Sequence, residues 1–446
     1  MNKIHRKWQL MLYAVAGMGV NMLNLMMGSY ICSALLIGGF SADAIPYQTY
    51  VQHDLVIAAV WAVFVLAAKI IDGIIDVPMA SFTDQLRSKW GRRRPALIIG
   101  MVPMIIAYLL FLVIPNPNGA TLLNTIYYGV LLCVFYSFYT LTMVTYYATF
   151  TEIVDTEDER NIISNTKSVC DIVYFILGYV VVRMMLNSQN IRLVSLVVLP
   201  LVLTMTIPLF MIKEKSTLKK DVMAGDTKSV HLLQSLKCTM RNADFIKWMI
   251  VYSFMTFSVQ LFLGGINEYF SFVGMSMIKV MVCAFVPVPF TLMLYNFILK
   301  KKGFGFAFRY ILITYTVCMA ALYIIAGQAD VIKKALEIPA GLLCSLSIGA
   351  LFAVAYSVPS QLAADEEKKT GVTNSAMYFA IQGLFSGVAT GIATGLVLTA
   401  LKGKEGDASS AISYMTLISA AGTFVALLFT FILPKSIIKM GVKAKE

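Results

Sequence analysis

Lys69, Asp72 and Asp76 stand in the apolar stretch AKIIDGIIDVPM, spaced three and then four residues apart. On a helix that spacing stacks them along one face. A charge at mid-bilayer depth costs on the order of 2.5 to 3.5 kcal/mol on insertion scales, so each of the three needs a reason. One reading is structural: Lys69 pairs with Asp72, and Asp76 is merely close to a helix end. The other is chemical. Two acids against one base leave one negative charge over, which is what a site for Na+, Li+ or a proton needs, because hard cations take carboxylate oxygens and a desolvated carboxyl can hold a proton.

The stretch that follows, TDQLRSKWGRRRP, is charged in a different way. Asp84, Arg87, Arg92, Arg93 and Arg94 suit either a positive loop that fixes topology or a charge network between helix ends. Trp90 fits a membrane interface, and Gly91 and Pro95 shape the turn.

The elements that must position these groups are membrane helices. Of 446 residues, 59% are hydrophobic and 13% charged, with a mean hydropathy of +0.76, whereas a soluble domain carries about a quarter charged residues. Apolar runs of the length a bilayer requires, roughly 20 residues, fall near 9–39, 55–82, 96–115, 121–150, 168–187, 192–212, 245–273, 277–299, 310–327, 337–361, 375–400 and 411–433. The expected fold is therefore all-α and integral to the membrane, with twelve transmembrane helices.

The net charge of +12 reads as topology rather than as a nucleic-acid surface, because the basic residues cluster between apolar runs. The N-terminal tail, the segment from Arg87 to Arg94, the central segment, Lys300 to Lys302 and the C-terminal tail all fall on one side of the expected membrane. By the positive-inside rule both termini are expected in the cytoplasm. Lys333, Lys334, Lys402 and Lys404 are among the few basic residues on the other side. The basic start, with Lys3, Arg6 and Lys7, leads into an apolar stretch too long for a signal peptide, so the first span is expected to stay in the mature protein.

The longest polar stretch, 213–244, divides the chain into an N-terminal half, 1–212, and a C-terminal half, 245–446, of six spans each. EIVDTEDERN after the fourth span and QLAADEEKKTG after the tenth echo one another. Six plus six with parallel repeats is the organisation of the major facilitator fold, whose substrate site lies at the midplane.

Seven scattered cysteines show no CxxC spacing and read as small core- or lipid-facing side chains, and the three histidines lie far apart in sequence. No resident metal or cofactor is expected. An enzyme is disfavoured by the lack of H-E-x-x-H, a serine–histidine pair or a phosphate-cradling glycine loop. A receptor is disfavoured by the absence of a sizeable soluble domain.

Asp72 and Asp76, then Asp84, Arg87 and KWGRRRP, closely resemble the signature of the glycoside-pentoside-hexuronide:cation symporters, the melibiose-permease type of the major facilitator superfamily. YYATFTEI (146–153), the EDERNIISNTK loop (157–167), EYFSFVG (268–274) and the AADEEKKTG loop after the tenth span are similar to further family elements, in the family's order. The resemblance implies that Asp72 and Asp76 match the cation-coordinating pair with Lys69 at the family's basic position. It also implies that Lys167 stands where a functional arginine does. Asp84 with Arg87, Arg92, Arg93 and Arg94 is then expected to form a cytoplasmic gate network that breaks during alternating access.

The departures concern the substrate. Gly17 and Met143 stand where sugar-transporting members carry acids, and Phe385 stands near their lysine in the eleventh span. Acids in a sugar site accept charge-assisted hydrogen bonds from hydroxyls; glycine and methionine leave a softer, more apolar cavity. The solute is expected to be less hydroxylated, larger or charged, unless acids elsewhere compensate.

Candidates for the substrate path are Asn21, Met143, Tyr146, Tyr147, Lys167, Asp171, Asn267, Gln382 and Glu268, the last placed deep in the seventh span where the family has an aromatic. Tyr139 and Arg183 are further candidates. Each has a structural alternative: Arg183 snorkels to headgroups, Asp171 pairs with Lys167 one turn away, and the uncharged groups join helices. The expected protein is a monomeric carrier in the plasma membrane that couples Na+ or H+ entry, with Li+ as a third candidate, to uptake of a small organic solute. The alternative is a uniporter or a carrier of a non-sugar, amphiphilic or charged solute.

Overall fold

In a hydrocarbon slab every backbone N–H and C=O must be satisfied within the chain, and helices do this segment by segment. The computed structural model describes residues 3–153, 157–212, 240–370, 375–402 and 410–439, and among these it is helical with no strand. Among the described residues nine helices are long and apolar enough to cross a membrane, or ten if the bent pair Met277–Phe285 and Val288–Lys302 is one span. Glu157–Ile176, continued to Met185, and the 41-residue helix Asp330–Thr370 supply the remaining two of twelve.

Two compact units result, one of Met1–Ile37 with Ala42–Thr227, the other of Gly38–Ser41 with Lys228–Glu446. Most of the expected linker, 213–239, lies outside the described residues.

Several boundaries differ from those expected. The EDERNIISNTK segment is the start of the fifth span's helix, Glu157–Ile176, and not a loop. The tenth helix runs on through the AADEEKK segment to Thr370. Charged residues leave a helix intact where they extend it beyond the lipid, so the apolar run underestimates its length. The expected 245–273 span is two helices, Ala243–Gly264 and Ile266–Val273, parted at Gly265. The eighth span bends by 43° between Phe285 and Val288, where Pro287 has no N–H for the helical ladder.

In the first unit, Ala58–Gln85 and Arg93–Phe111 both pack on Leu122–Ile153, and Lys3–Met26 packs on Glu157–Ile176 and on the 3-10 segment Leu199–Thr206. Small residues set the closeness of these contacts. A Cβ at Gly19 would overlap the Leu201 carbonyl, so the first and sixth spans meet backbone to backbone there. The Thr204 hydroxyl donates to the Ala16 carbonyl at 3.0 Å beside it. Both the first and fifth spans loosen into π-helical turns, Met27–Ile31 and Leu177–Val181. These turns meet: Tyr30 donates to the Gly178 carbonyl at 2.8 Å, and the Ser29 and Tyr179 hydroxyls lie 3.3 Å apart.

In the second unit, Ala243–Gly264 and Phe304–Ala326 pack on Tyr414–Phe429, and Asp330–Thr370 packs on Met277–Phe285 and Phe304–Ala326. Cys318 and Cys344, on neighbouring helices, bring their sulfurs to 2.7 Å, a proximity their sequence spacing did not suggest.

This unit also holds a buried ion pair, Lys402 Nζ to Glu268 Oε1 at 2.6 Å, with both side chains almost wholly out of solvent. Nζ approaches off the hydrogen-bonding direction, and Glu268 Oε2 has no donor among the described residues. Glu268 comes 25 residues after Ala243, about 37 Å along a helix at about 1.5 Å per residue. It therefore sits at the far end of the seventh span rather than deep within it. Segment Gly38–Ser41 covers the pair: Gly39 takes φ +84° against the Glu268 side chain, and a Cβ there would come within 3.3 Å of it. The Phe40 ring lies 5.9 Å from Lys402 Nζ, and the Ser41 amide donates to Ser271 Oγ at 3.1 Å.

Two expectations follow from this packing. Gly19→Leu should prevent a stable first unit, seen as loss of the monodisperse peak in detergent gel filtration, while Gly327→Ala, whose Cβ would meet only the Ile324 carbonyl oxygen at an ordinary contact distance of 3.7 Å, should change stability by less than about 0.5 kcal/mol. Lys402→Met strands a buried carboxylate and should cost about 3 to 5 kcal/mol in a denaturant titration. Adding Glu268→Gln should restore most of that loss, because no uncompensated charge is then left inside.

Candidate functional site

Asp72 and Asp76 lie one helical turn apart on Ala58–Gln85, and Lys69 lies one turn before them. All three side chains are partly buried. The neighbour that meets them is Leu122–Ile153, whose Thr140 hydroxyl donates to Asp72 Oδ1 at 2.6 Å. Lys69 does not make the expected direct pair. Its ammonium sits 3.6 Å from the centre of the Tyr136 ring, a cation–π contact, and acts on Asp72 only through space. Asp76 has no hydrogen-bond or ion-pair partner among the described residues. Pro78, two residues on, lies inside the helix and has no N–H to offer the Ile74 carbonyl. One turn of this helix thus presents Asp72 with an oxygen left over, an unpaired Asp76 and a backbone carbonyl lacking its helical donor.

The same face of Leu122–Ile153 continues toward the first and fifth spans. Tyr139 donates to Asn21 Oδ1 at 3.2 Å. Tyr146 stacks on Tyr13 at 5.0 Å, and the pair is locked reciprocally: Tyr13 donates to the Tyr146 carbonyl at 2.7 Å and Tyr146 to the Tyr13 carbonyl at 3.0 Å. Gly17 lies against that ring, so that a Cβ would come within 3.0 Å of Tyr146 Cε1. Met143 is 5% exposed. The positions where the resemblance expects acids are therefore filled by packing. Tyr147 is exposed and lies 5.5 Å beneath Lys167 Nζ, and Lys167 binds Asp171 Oδ2 at 2.7 Å, the one-turn pair its spacing allows.

Other candidates are placed elsewhere. Gln382 is buried and accepts from Trp248 Nε1 at 3.0 Å, joining two helices of the second unit. Asn267 is buried beside Glu268 in Ile266–Val273. Arg183 lies past the fifth span's π-helical turn. Of the expected gate network, Arg87 is exposed and Arg92, Arg93 and Arg94 occupy the turn into Arg93–Phe111. Gly91 at φ +84° makes that turn, Trp90 is exposed, and the Asp84 side chain lies outside the described residues.

Thr140 and Tyr136 were not foreseen, although their spacing of four places them on one helical face. Lys402 as the partner of Glu268 was not foreseen either: the two are 134 residues apart, and only the fold brings them together.

Comparison with known proteins agrees with this architecture. The crystal structure of the nucleoside transporter NupG superposes with a TM-score of 0.63 at 13% identity, covering 98% of this chain and 100% of that one. A bacterial homolog of the human lysosomal transporter Spinster, in an inward-facing and unoccupied conformation, gives 0.60 at 11% identity with 98% of each chain covered. A POT family transporter in complex with 5-aminolevulinic acid gives 0.63 at 12% with 96% of each. At such identities the likeness establishes the fold alone. A search of the curated proteins returns no match. The family model described as MFS/sugar transport protein matches residues 12–434, nearly the whole chain, and the protein is a member of that family of membrane transporters.

Proposed function

We propose that this transporter is a symporter in which Asp72 and Asp76 bind the coupling cation, Na+ or H+, with Li+ as a third candidate. The observation that carries the reading is the disposition of Lys69. Because its ammonium lies over Tyr136 instead of against a carboxylate, the two acids of one helical turn are not neutralised by direct contact. Thr140 orients Asp72 by holding one oxygen and leaves the other to face the cation. Asp76 and the Ile74 carbonyl supply further oxygens, the ligand type hard cations require. A proton on either carboxyl would relieve the same surplus charge.

Coupling follows from linkage: whatever the cation contributes to solute affinity, the solute contributes equally to cation affinity. The loaded carrier then exchanges access between the two sides of the membrane, as major facilitators do by rocking one repeat against the other. The cargo is a small organic solute. Its uptake is placed at the plasma membrane, in a monomeric carrier whose termini face the cytoplasm, a reading supported by the basic clusters at both tails and between the second and third spans.

Asp72→Asn or Asp76→Asn should abolish stimulation of uptake by a Na+ or pH gradient in vesicles while the protein still inserts; unchanged stimulation would return the acids to a purely structural role, and uptake by the unaltered protein that is insensitive to both gradients would make it a uniporter. Thr140→Val should raise the cation concentration for half-maximal stimulation several-fold, since a charge-assisted hydrogen bond contributes about 1.5 to 3 kcal/mol. An epitope at the C-terminus should be reached by antibody only after the membrane is permeabilised.

A further inference from the structure

Gly38–Ser41 lies in the connection between the first and second spans, yet it packs as part of the second unit, while its chain neighbours Ile37 and Ala42 belong to the first. The flanking chain is held within that first unit by backbone hydrogen bonds. The Ile37 amide donates to Asp54 Oδ1 at 2.8 Å, the Leu55 amide to the Leu35 carbonyl at 2.9 Å and the Tyr50 amide to the Ala34 carbonyl at 3.1 Å. Four residues between fixed ends have little slack, since fully extended they span about 14 Å at most.

What the segment covers is the buried pair Glu268 and Lys402. Its fit is close at every residue. A Cβ at Gly38 would overlap the Lys402 carbonyl, and a Cβ at Gly39 would meet Glu268 Cβ at 3.3 Å and Ile412 Cγ1 at 3.7 Å. Phe40 is buried, with its ring 5.9 Å from Lys402 Nζ. Ser41 closes the seat on Ser271, its amide donating to Ser271 Oγ at 3.1 Å and the two hydroxyls lying 3.2 Å apart. Lys402 follows the span Ile381–Leu401 and Glu268 follows the span Ala243–Gly264, so both stand after an odd number of crossings. They share the membrane side of the first connection, opposite the N-terminus.

Major facilitators exchange access by rocking one repeat against the other. A segment anchored at both ends in one half and seated in the other cannot keep both attachments through that motion. The anchors are the covalent chain and backbone hydrogen bonds; the seat is two serine contacts and a close fit, so the seat is what gives. We infer that Gly38–Ser41 is a strap that seats on the Glu268–Lys402 pair and lifts from it as the carrier exchanges access. The pair is then the strap's seat and not a solute contact. Lifting lets water reach two charges that burial had desolvated, which offsets the lost burial of Phe40 and keeps the seated and lifted states within reach of one another. The strap requires only the major facilitator fold and serves a symporter and a uniporter alike.

The test reads how often water reaches Lys402 in the full-length protein in nanodiscs. Ser41→Cys with Ser271→Cys is compared reduced and after oxidation by copper phenanthroline, which should join the two sulfurs, as the linked peptides in mass spectrometry will show. Lysines are then acetylated with sulfo-N-hydroxysuccinimidyl acetate and followed one by one, with exposed Lys334 as the internal standard. Reduced protein should acetylate Lys402 at a measurable rate relative to Lys334, the link should slow it at least tenfold, and dithiothreitol should restore it. Lys69, partly buried in the first unit, tells the carrier's own motion from a frayed loop: the link should change its rate at least threefold. Gly39→Val, which places a branched Cβ at φ +84° against Glu268, should unseat the strap and raise the Lys402 rate at least threefold over the unaltered protein. If the double variant does not fold, Gly39→Val alone decides. Cysteines that fail to join in folded protein, equal Lys402 rates with and without the link, an unchanged Lys69 rate, or a Gly39→Val rate no higher than that of the unaltered protein each overturns the inference.

Discussion

A carboxylate carried into hydrocarbon must be met by protein, and in the first unit Asp72 is met by the Thr140 hydroxyl on the adjacent fourth span. That contact fixes the rotation of Ala58–Gln85 about its own axis, because a helix that shows Asp72 to a neighbour also shows it Lys69 and, one turn on, Asp76. The fourth span answers along one stripe, with Tyr136 beneath Lys69, Tyr139 toward Asn21 and Tyr147 beneath Lys167. Turning the second span by a single residue, about 100°, would expose three charges to lipid. The rest of the unit is built so that this rotation is the favourable one.

Close packing does the remaining work, since apolar side chains gain little by leaving lipid for protein and helices must associate through contact and hydrogen bonds. Gly19 lets the first and sixth spans meet at their backbones, and the π-helical turns of the first and fifth spans interlock through Tyr30 and Gly178. A π-turn exposes a carbonyl that an α-helix would have used, and Tyr30 takes it up.

The second unit handles charge differently. Glu268 and Lys402 are removed from solvent and matched to each other beneath a short segment that glycine alone can lay down at φ +84°. Desolvating both groups offsets much of their attraction, so the pair specifies an arrangement more than it strengthens one. Among the described residues Asp76 of the first unit has no ion-pair partner, whereas Glu268 and Lys402 of the second meet directly, and this asymmetry supports the proposal of a cation site in the first unit.

Membrane residence, the twelve helices, the division into halves and the stacking of Lys69, Asp72 and Asp76 on one face were all legible in the sequence. The bilayer's thickness and the helical repeat act on residues close together in the chain, so composition and spacing carry them. Helix ends were less legible, because charged turns such as 157–167 extend a helix without any apolar signal. The partners of the charges were not legible at all. Spacing offered Lys69 to Asp72, and packing gave it to Tyr136; spacing placed Glu268 in a path, and the fold gave it Lys402 from 134 residues away. Which group neutralises a buried charge depends on the rotation and closeness of helices that are distant in sequence, and only the tertiary structure decides that.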